Sequence, residues 1–344
     1  MTWRLPAEWE PQDAILLAWP HAGTDWAANL ADVEASYVAL IEAIARQQRV
    51  LLVVADGDVE ARASHLLEAG EFPRDRLRMV RADYDDTWLR DSGPITVTNG
   101  AQFGLLDFRF TGWGGKFGGS RDDRLIEALH AQGLFGVTPR DRREYALEGG
   151  AIESDGAGTL LTTRVCLAQR HPELSRLALA QGLADQVPCS RVMMLDHGEL
   201  EGDDTDGHID TLVRFIAPEH LVYQSCEDPE DPHFAPLAAM AAELGELRTS
   251  AGKPYRLTAL PWPSPIRAAD GRRLAASYAN FLIINGAVLM PEYGDAADDA
   301  ARAVLANALP GRLVRPVPCR PLIEQNGSLH CLTMQLPRGV LSGE

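Results

Sequence analysis

Four segments of the chain carry side chains able to do chemistry. In Asn326-Gly-Ser-Leu-His-Cys331, a cysteine follows a Gly-Ser turn and opens an apolar run. A thiol of ordinary pKa, about 8.5, becomes a strong nucleophile once a nearby cation lowers that value. In Asp206-Gly-His208-Ile-Asp210, an imidazole and a carboxylate stand two residues apart at the start of another apolar run. On a strand they would share a face, setting a proton-transfer group beside a negative charge. Tyr84-Asp-Asp-Thr-Trp-Leu-Arg-Asp91-Ser-Gly-Pro94 crowds three acids, Trp88 and Arg90 ahead of a Gly-Pro turn. There Asp91 can face a cation and Trp88 can wall it by a cation–π contact. Leu147-Glu148-Gly-Gly150 places an acid at a strand or bulge edge, beside glycines that permit close backbone approach. Each segment also has a plain reading: a buried apolar thiol, a polar strand end, a solvated acidic loop, a turn. Among the other cysteines only Cys166, after Thr162-Thr-Arg-Val, has comparable polar neighbours.

These residues must be held by a framework, and the apolar pattern indicates its class. Short apolar runs suggest strands at 49–55, 77–82, 103–110, 158–163, 191–195, 209–216, 220–225, 281–290 and 312–318. Helical spacing is carried by Val33, Tyr37, Leu40, Ile41 and Ile44, and again by Ala301, Val304, Leu305 and Ala308. Further helices are expected at 59–69, 122–132, 173–181 and 234–247. Strands and helices recur together, so the class is α/β. No low-complexity linker divides the chain, and one domain over 1–344 is expected. Exact repeats are not visible.

Composition narrows the partners. The 344 residues carry 32 Lys plus Arg against 49 Asp plus Glu, a formal charge of −17. That opposes nucleic-acid binding and favours encounter with a cationic ligand. The five cysteines are odd in number and widely spaced without a CxxC pair, which fits a reducing cytoplasm. A signal peptide and a membrane-spanning run are not expected. GxxxxGK[ST], GxGxxG, HExxH and GxSxG are absent, and an EF-hand aligned on Gly207 fails at its first and last ligand positions.

Taken in order, the segments resemble the agmatine deiminase and bacterial-type peptidylarginine deiminase family of the guanidine-modifying (pentein) superfamily. The resemblance runs through Pro6-Ala-Glu-Trp-Glu-Pro11, Ala18-Trp-Pro-His21, Asp85-Asp-Thr-Trp-Leu-Arg-Asp-Ser-Gly-Pro94 and Phe110-Thr-Gly-Trp-Gly-Gly115. It continues through Leu147-Glu-Gly-Gly150, Thr205-Asp-Gly-His-Ile-Asp210, Ala275-Ala-Ser-Tyr-Ala-Asn-Phe281 and Leu329-His-Cys331. It implies a five-bladed, pseudo-symmetric α/β propeller built from ββαβ modules around a central site. It also implies roles: Cys331 as nucleophile, His208 as general acid/base, Asp91 and Asp210 as guanidinium clamps, and Glu148 as support for the histidine. Trp88 and Trp113 would contact substrate. The sequence departs from the family at Glu324-Gln-Asn-Gly-Ser328 and at Thr111-Gly, both expected near the substrate's tail.

The chemistry fits these residue types. A guanidinium is planar, cationic and a poor electrophile, so two carboxylates gripping its N–H edges fix it for thiolate attack. No metal or cofactor is called for. The expected reaction converts agmatine and water to N-carbamoylputrescine and ammonia, in polyamine (putrescine) biosynthesis. Free arginine, peptidyl-arginine, or amidino transfer to an amine are the alternatives, and a homo-oligomer is possible. A guanidine-binding protein without turnover would leave Cys331 unreactive toward alkylators at neutral pH.

Overall fold

The computed structural model describes residues 2–341. Its strands fall into five small sheets of one design. The first begins with β1 (Gln12–Ala18), β2 (Arg49–Val54) and β3 (Leu77–Arg81), in parallel register. The second holds β4 (Ile95–Thr98), β5 (Phe103–Arg109) and β6 (Arg140–Ala146). The third holds β7 (Ile152–Ser154), β8 (Thr159–Thr163) and β9 (Arg191–Leu195). The fourth holds β10 (Val213–Ala217), β11 (His220–Gln224) and β12 (Arg256–Leu260). The fifth holds β13 (Leu282–Ile284), β14 (Ala287–Glu292) and β15 (Leu313–Pro318).

In the second to fifth sheets, an antiparallel hairpin is followed by a helical crossover to a parallel third strand. The first sheet lacks its opening hairpin strand until the chain returns. Then β16 (Met334–Pro337) pairs antiparallel with β1, with Leu16 opposite Met334. The repeat is ββαβ, five times, and the fold is a five-module α/β propeller closed by its own last strand.

The elements follow from local sequence. The central strands β1, β2 and β14 are nearly all apolar because sheet neighbours and helices cover both faces. The helix Leu30–Ala45 buries Val33, Tyr37, Leu40, Ile41 and Ile44 along one face, as its spacing predicts. The helices Gly57–Leu67, Asp122–Ala131, Phe234–Glu246 and Asp298–Ala308 also match expectation, and the helix near 173–181 lies later, at Arg176–Gln186. The helix Arg164–Arg170 is not among the expected ones. Among the described residues no helix is long and apolar enough to cross a membrane.

Two strand expectations need correction. The run 281–290 is a hairpin, β13 and β14, turned at Asn285-Gly286 with Gly286 at φ 74°. A glycine takes that left-handed conformation at little cost. The run 209–216 is not one strand: Ile209–Thr211 is a 3-10 turn, and β10 starts at Val213. Thr205 Oγ1 accepts from the His208 amide (3.1 Å) and Thr211 Oγ1 donates to the His208 carbonyl (2.9 Å), fixing a turn there.

Candidate active site

Every segment singled out by its chemistry occupies the same place in the repeat. It is the link from the third strand of one module to the first strand of the next. Asp91 lies between β3 and β4, Glu148 between β6 and β7, and His208 and Asp210 between β9 and β10. Asn280 lies between β12 and β13, and His330 and Cys331 between β15 and β16. Four of these links form short helical turns. Leu89–Ser92 packs on Gly149–Ala151 and on His330–Leu332, and Gly149–Ala151 packs on Ile209–Thr211. Pseudo-fivefold geometry thus gathers residues from distant parts of the chain.

Gly150 sits at the convergence. A Cβ there would lie 2.5 Å from His208 Nδ1, 2.8 Å from Asp91 Oδ1 and 3.3 Å from Asp210 Oδ2. Only the bare backbone lets these three side chains approach one another. Asp91 accepts from the Gly150 amide (3.1 Å) and from Trp113 Nε1 (2.9 Å), and its Oδ1 lies 3.5 Å from His208 Nδ1. Burial pushes the Asp91 carboxyl up to about 6, although His208 pulls against that rise. Trp113 reaches it from a run of left-handed backbone, with Trp113 itself at φ 54°. Gly112 is needed in that run, because a Cβ there would sit 2.1 Å from the Phe117 carbonyl oxygen.

His208 is buried, and its Nε2 faces Glu148 Oε2 at 3.7 Å. Burial opposes its charge, but Asp91, Cys166 and Glu148 outweigh that and raise its pKa well above the ordinary value. Glu148 is anchored from behind: Oε1 accepts from Arg170 Nε at 2.7 Å. Arg170 Nη1 in turn reaches Asp206 Oδ2 (2.7 Å), whose other oxygen holds Lys116 Nζ (2.7 Å).

On the far side, Asn280 Nδ2 lies 3.3 Å from Cys331 Sγ, and Asp210 Oδ2 lies 3.9 Å from the same sulfur. Burial first, then the Asp210 and Asp91 carboxylates, push the thiol well above its usual pKa. Slow alkylation of the free protein at neutral pH is therefore expected of an enzyme as well, and does not identify a mere binder. Asp210 Oδ2 accepts from His330 Nδ1 (2.7 Å), and His330 Nε2 meets Glu8 Oε2 (2.6 Å). Glu8 is also 3.0 Å from Arg214 Nη2, and Arg214 ion-pairs Glu153. Burial works against Asp210, but the His330 hydrogen bond and surrounding cations hold its pKa below the ordinary value.

A cavity of about 740 Å³ opens onto Asp91 and Cys331. Trp88, Asp91, Trp113 and Cys331 line it, and so do Asp25, Asp85, Asp86, Asp203, Asp204 and Glu324. Among the described residues the only cationic side chain on its wall is Lys116, already engaged by Asp206. The segment 324–327 does line the cavity, as its departure from the family suggested. Thr111 instead caps the Gly114 amide through Oγ1 at 2.9 Å.

The structure therefore brings together Cys331, His208, Glu148, Asp210, Asp91, Trp88 and Trp113. Sequence reasoning missed Asn280, His330 and Glu8, although all three stand inside motifs quoted for the resemblance. It also missed Arg170 and Arg214. Arg214 had a signal: an arginine inside the apolar strand Val-Arg-Phe-Ile-Ala must be neutralised within the core.

The chain is similar along nearly its whole length to known proteins. The Porphyromonas-type peptidyl-arginine deiminase family matches residues 4–337. The agmatine deiminase of Stutzerimonas stutzeri (strain A1501) is 34% identical, over 97% of this chain and 95% of its own. A solved C. jejuni agmatine deiminase with substrate bound, carrying a cysteine-to-serine substitution, is 31% identical (TM-score 0.90), over 98% of this chain and 97% of its own. A solved protein of Porphyromonas gingivalis, provisionally assigned as an arginine deiminase, is 45% identical (TM-score 0.92), over 99% of this chain and 100% of its own. A match spanning all five modules, joined to an acid-lined pocket with Cys331 and Asp91 on its wall and His208 and Asp210 beside them, means that the chain belongs to the Porphyromonas-type peptidyl-arginine deiminase family.

Proposed function

We propose that the chain is a guanidine deiminase that hydrolyses agmatine to N-carbamoylputrescine and ammonia. The observation that carries this reading is the convergence of the Cys331 thiol with Asp91, Asp210 and His208 around Gly150. Asp91 opens on the cavity and Asp210 lies 3.9 Å behind the Cys331 sulfur, and two buried carboxylates so placed suit a planar cation. Asp210 Oδ1 has no hydrogen-bond partner, which leaves it free to accept from a guanidinium N–H.

In this reading Asp91 and Asp210 grip the guanidinium edges, and Trp88 flanks the alkyl tail. Burial, then two negative charges, keep Cys331 protonated; arrival of the cation offsets those charges, so thiolate forms when substrate is bound. The thiolate adds to the central carbon, and His208 gives a proton to the departing nitrogen, which leaves as ammonia. The S-alkylthiouronium then remains on Cys331. Water, giving its proton to His208, attacks the same carbon; the C–S bond breaks and the ureido product leaves. Glu148, held by Arg170, fixes the imidazole plane.

Arginine is the second reading, favoured by the 45% identity to the Porphyromonas gingivalis protein. The cavity argues for an amine tail instead: an α-carboxylate would meet a wall of aspartates and a glutamate, with a lysine already paired. The proposed setting is a reducing cytoplasm, consistent with five free cysteines. A panel of agmatine, arginine and a peptidyl-arginine, assayed for ammonia and ureido product without added amine, tests substrate and reaction together. Agmatine should have the highest kcat/KM. Ammonia release from none of them would reject deimination, and dependence on an amine acceptor would make the chain an amidinotransferase.

A further inference from the structure

The proposed chemistry leaves a second thiol unused against the same histidine. Glu148, Cys166 and His208 each offer a ligand atom, all within 4.8 Å of one another, and all three residues are buried. Two of the donors, Glu148 Oε2 and His208 Nε2, face each other at 3.7 Å, beyond hydrogen-bond distance, and neither has a hydrogen-bond partner. Buried polar atoms are rarely left so, and two such atoms within 4.8 Å of a thiol leave room for a shared ligand. Among the described residues no other group of three such side chains occurs.

The fold holds these donors in place from outside. Thr163 Oγ1 caps the helix Arg164–Arg170 by accepting from the Cys166 amide (3.4 Å), and donates to the Gly207 carbonyl (2.7 Å). That couples the cysteine's helix to the turn that carries His208. Arg170 occupies Glu148 Oε1, so only Oε2 remains to bind, in monodentate fashion. Metal ligands oriented by such outer contacts bind more tightly than free ones. One sulfur, one nitrogen and one carboxylate oxygen suit Zn²⁺ and similar thiophilic cations, and disfavour Ca²⁺ and Mg²⁺, which want oxygen shells.

We propose that Glu148, Cys166 and His208 form an inhibitory site for a thiophilic divalent cation of the zinc class, completed by one water. On binding, Cys166 Sγ and His208 Nε2 lose their protons to solvent, and the vacated lone pairs bond the metal beside Glu148 Oε2. The inhibition, though not the binding, rests on the role assigned to His208. With Nε2 metallated, the imidazole cannot take the doubly protonated form that supplies a proton to leaving ammonia.

Full-length protein titrated with Co²⁺, and separately with Zn²⁺, tests this. One equivalent of Co²⁺ should give a near-ultraviolet sulfur-to-cobalt absorption that Cys331→Ser retains and Cys166→Ser or Cys166→Ala abolishes. X-ray absorption on Zn²⁺-loaded wild type needs no variant, and should show one sulfur at about 2.3 Å with nitrogen and oxygen near 2.0–2.2 Å. In the ammonia assay, Zn²⁺ should inhibit wild type reversibly by chelator. Its midpoint should rise at least about tenfold in a folded Cys166 variant, each enzyme compared with its own metal-free rate. A thiolate band lost in Cys331→Ser but kept without Cys166 overturns the site, as does a zinc shell without sulfur. Binding at Cys166 without inhibition upholds the site and counts against His208 as the proton donor.

Discussion

Trp113 was expected to touch substrate, and its indole also donates to Asp91, opposing the rise that burial imposes on that carboxyl. Asp91 must be ionised to grip a cation, so kcat/KM for agmatine should fall below about pH 6. Trp113→Phe removes one donor to the charged form and should move this acid limb to higher pH; an unmoved limb would detach the limb from Asp91. Gly150→Ala places a methyl 2.5 Å from His208 Nδ1 and should lower kcat/KM by about 100-fold or more, with far-ultraviolet circular dichroism unchanged. Near-normal turnover would show that the three side chains need not meet at that point. Cys331→Ser should abolish ammonia release while leaving the melting temperature within a few degrees. At this scale the sequence was informative wherever a residue's type announces reactivity, as for Cys331, His208 and Asp91. It was silent on Asn280 and Glu8, whose roles come only from what they face across the ring.

The linking turns explain why residues picked out by type converge although part of the local reasoning differs from the structure. His208 and Asp210 were expected side by side on a strand, yet a 3-10 turn brings both to the centre. Residue type survived that error because all the links converge on one axis. β6 was missed for a different reason. Its Arg-Asp-Arg-Arg-Glu run lacks an apolar pattern, and the strand is held by ion pairs of Arg140 and Arg142 with Asp107 and Asp123. The segment before β1 is also more than an edge. Glu8 joins Arg214, His330 and the fifth sheet's Ile283 amide (2.7 Å) beneath the site. Burial works against its charge, but Arg214, then His330, hold its carboxyl below the ordinary range. Glu8→Gln leaves Arg214 partly uncompensated and should cost about 3–5 kcal/mol in denaturant unfolding. A loss under about 1 kcal/mol would make that network marginal.

For the whole molecule, these carboxylates divide into two sets with opposite effects on pH stability. Glu8 and Asp210 have lowered values, so their contribution is complete above the ordinary carboxylate pKa near 4 and is lost as pH falls through the lowered one. Asp91, raised to about 6, and Asp86 and Asp122, each raised to about 7 chiefly by burial, act in reverse. Their folded forms keep protons that the unfolded chain releases near pH 4, so stability falls as pH rises from about 4 to 7. Ligand-free protein should therefore melt highest near pH 4–5 and lower at pH 8, and agmatine should raise the melting temperature most at the higher pH. A ligand-free maximum at pH 8 would contradict the raised values.

The α/β class and most central strands were legible because both-face burial writes long apolar runs. Closure was not, since β16 owes its place to β1 at the opposite end of the chain. That late pairing has a consequence for biosynthesis. A nascent polypeptide paused just before β15 already contains Asp91, Asp210 and His208, but it has neither Cys331 nor the strand that locks the ring. Premature termination in that interval would yield an open ring without Cys331, so under the proposed mechanism turnover starts only after the ribosome has translated the codons that also seal the molecule.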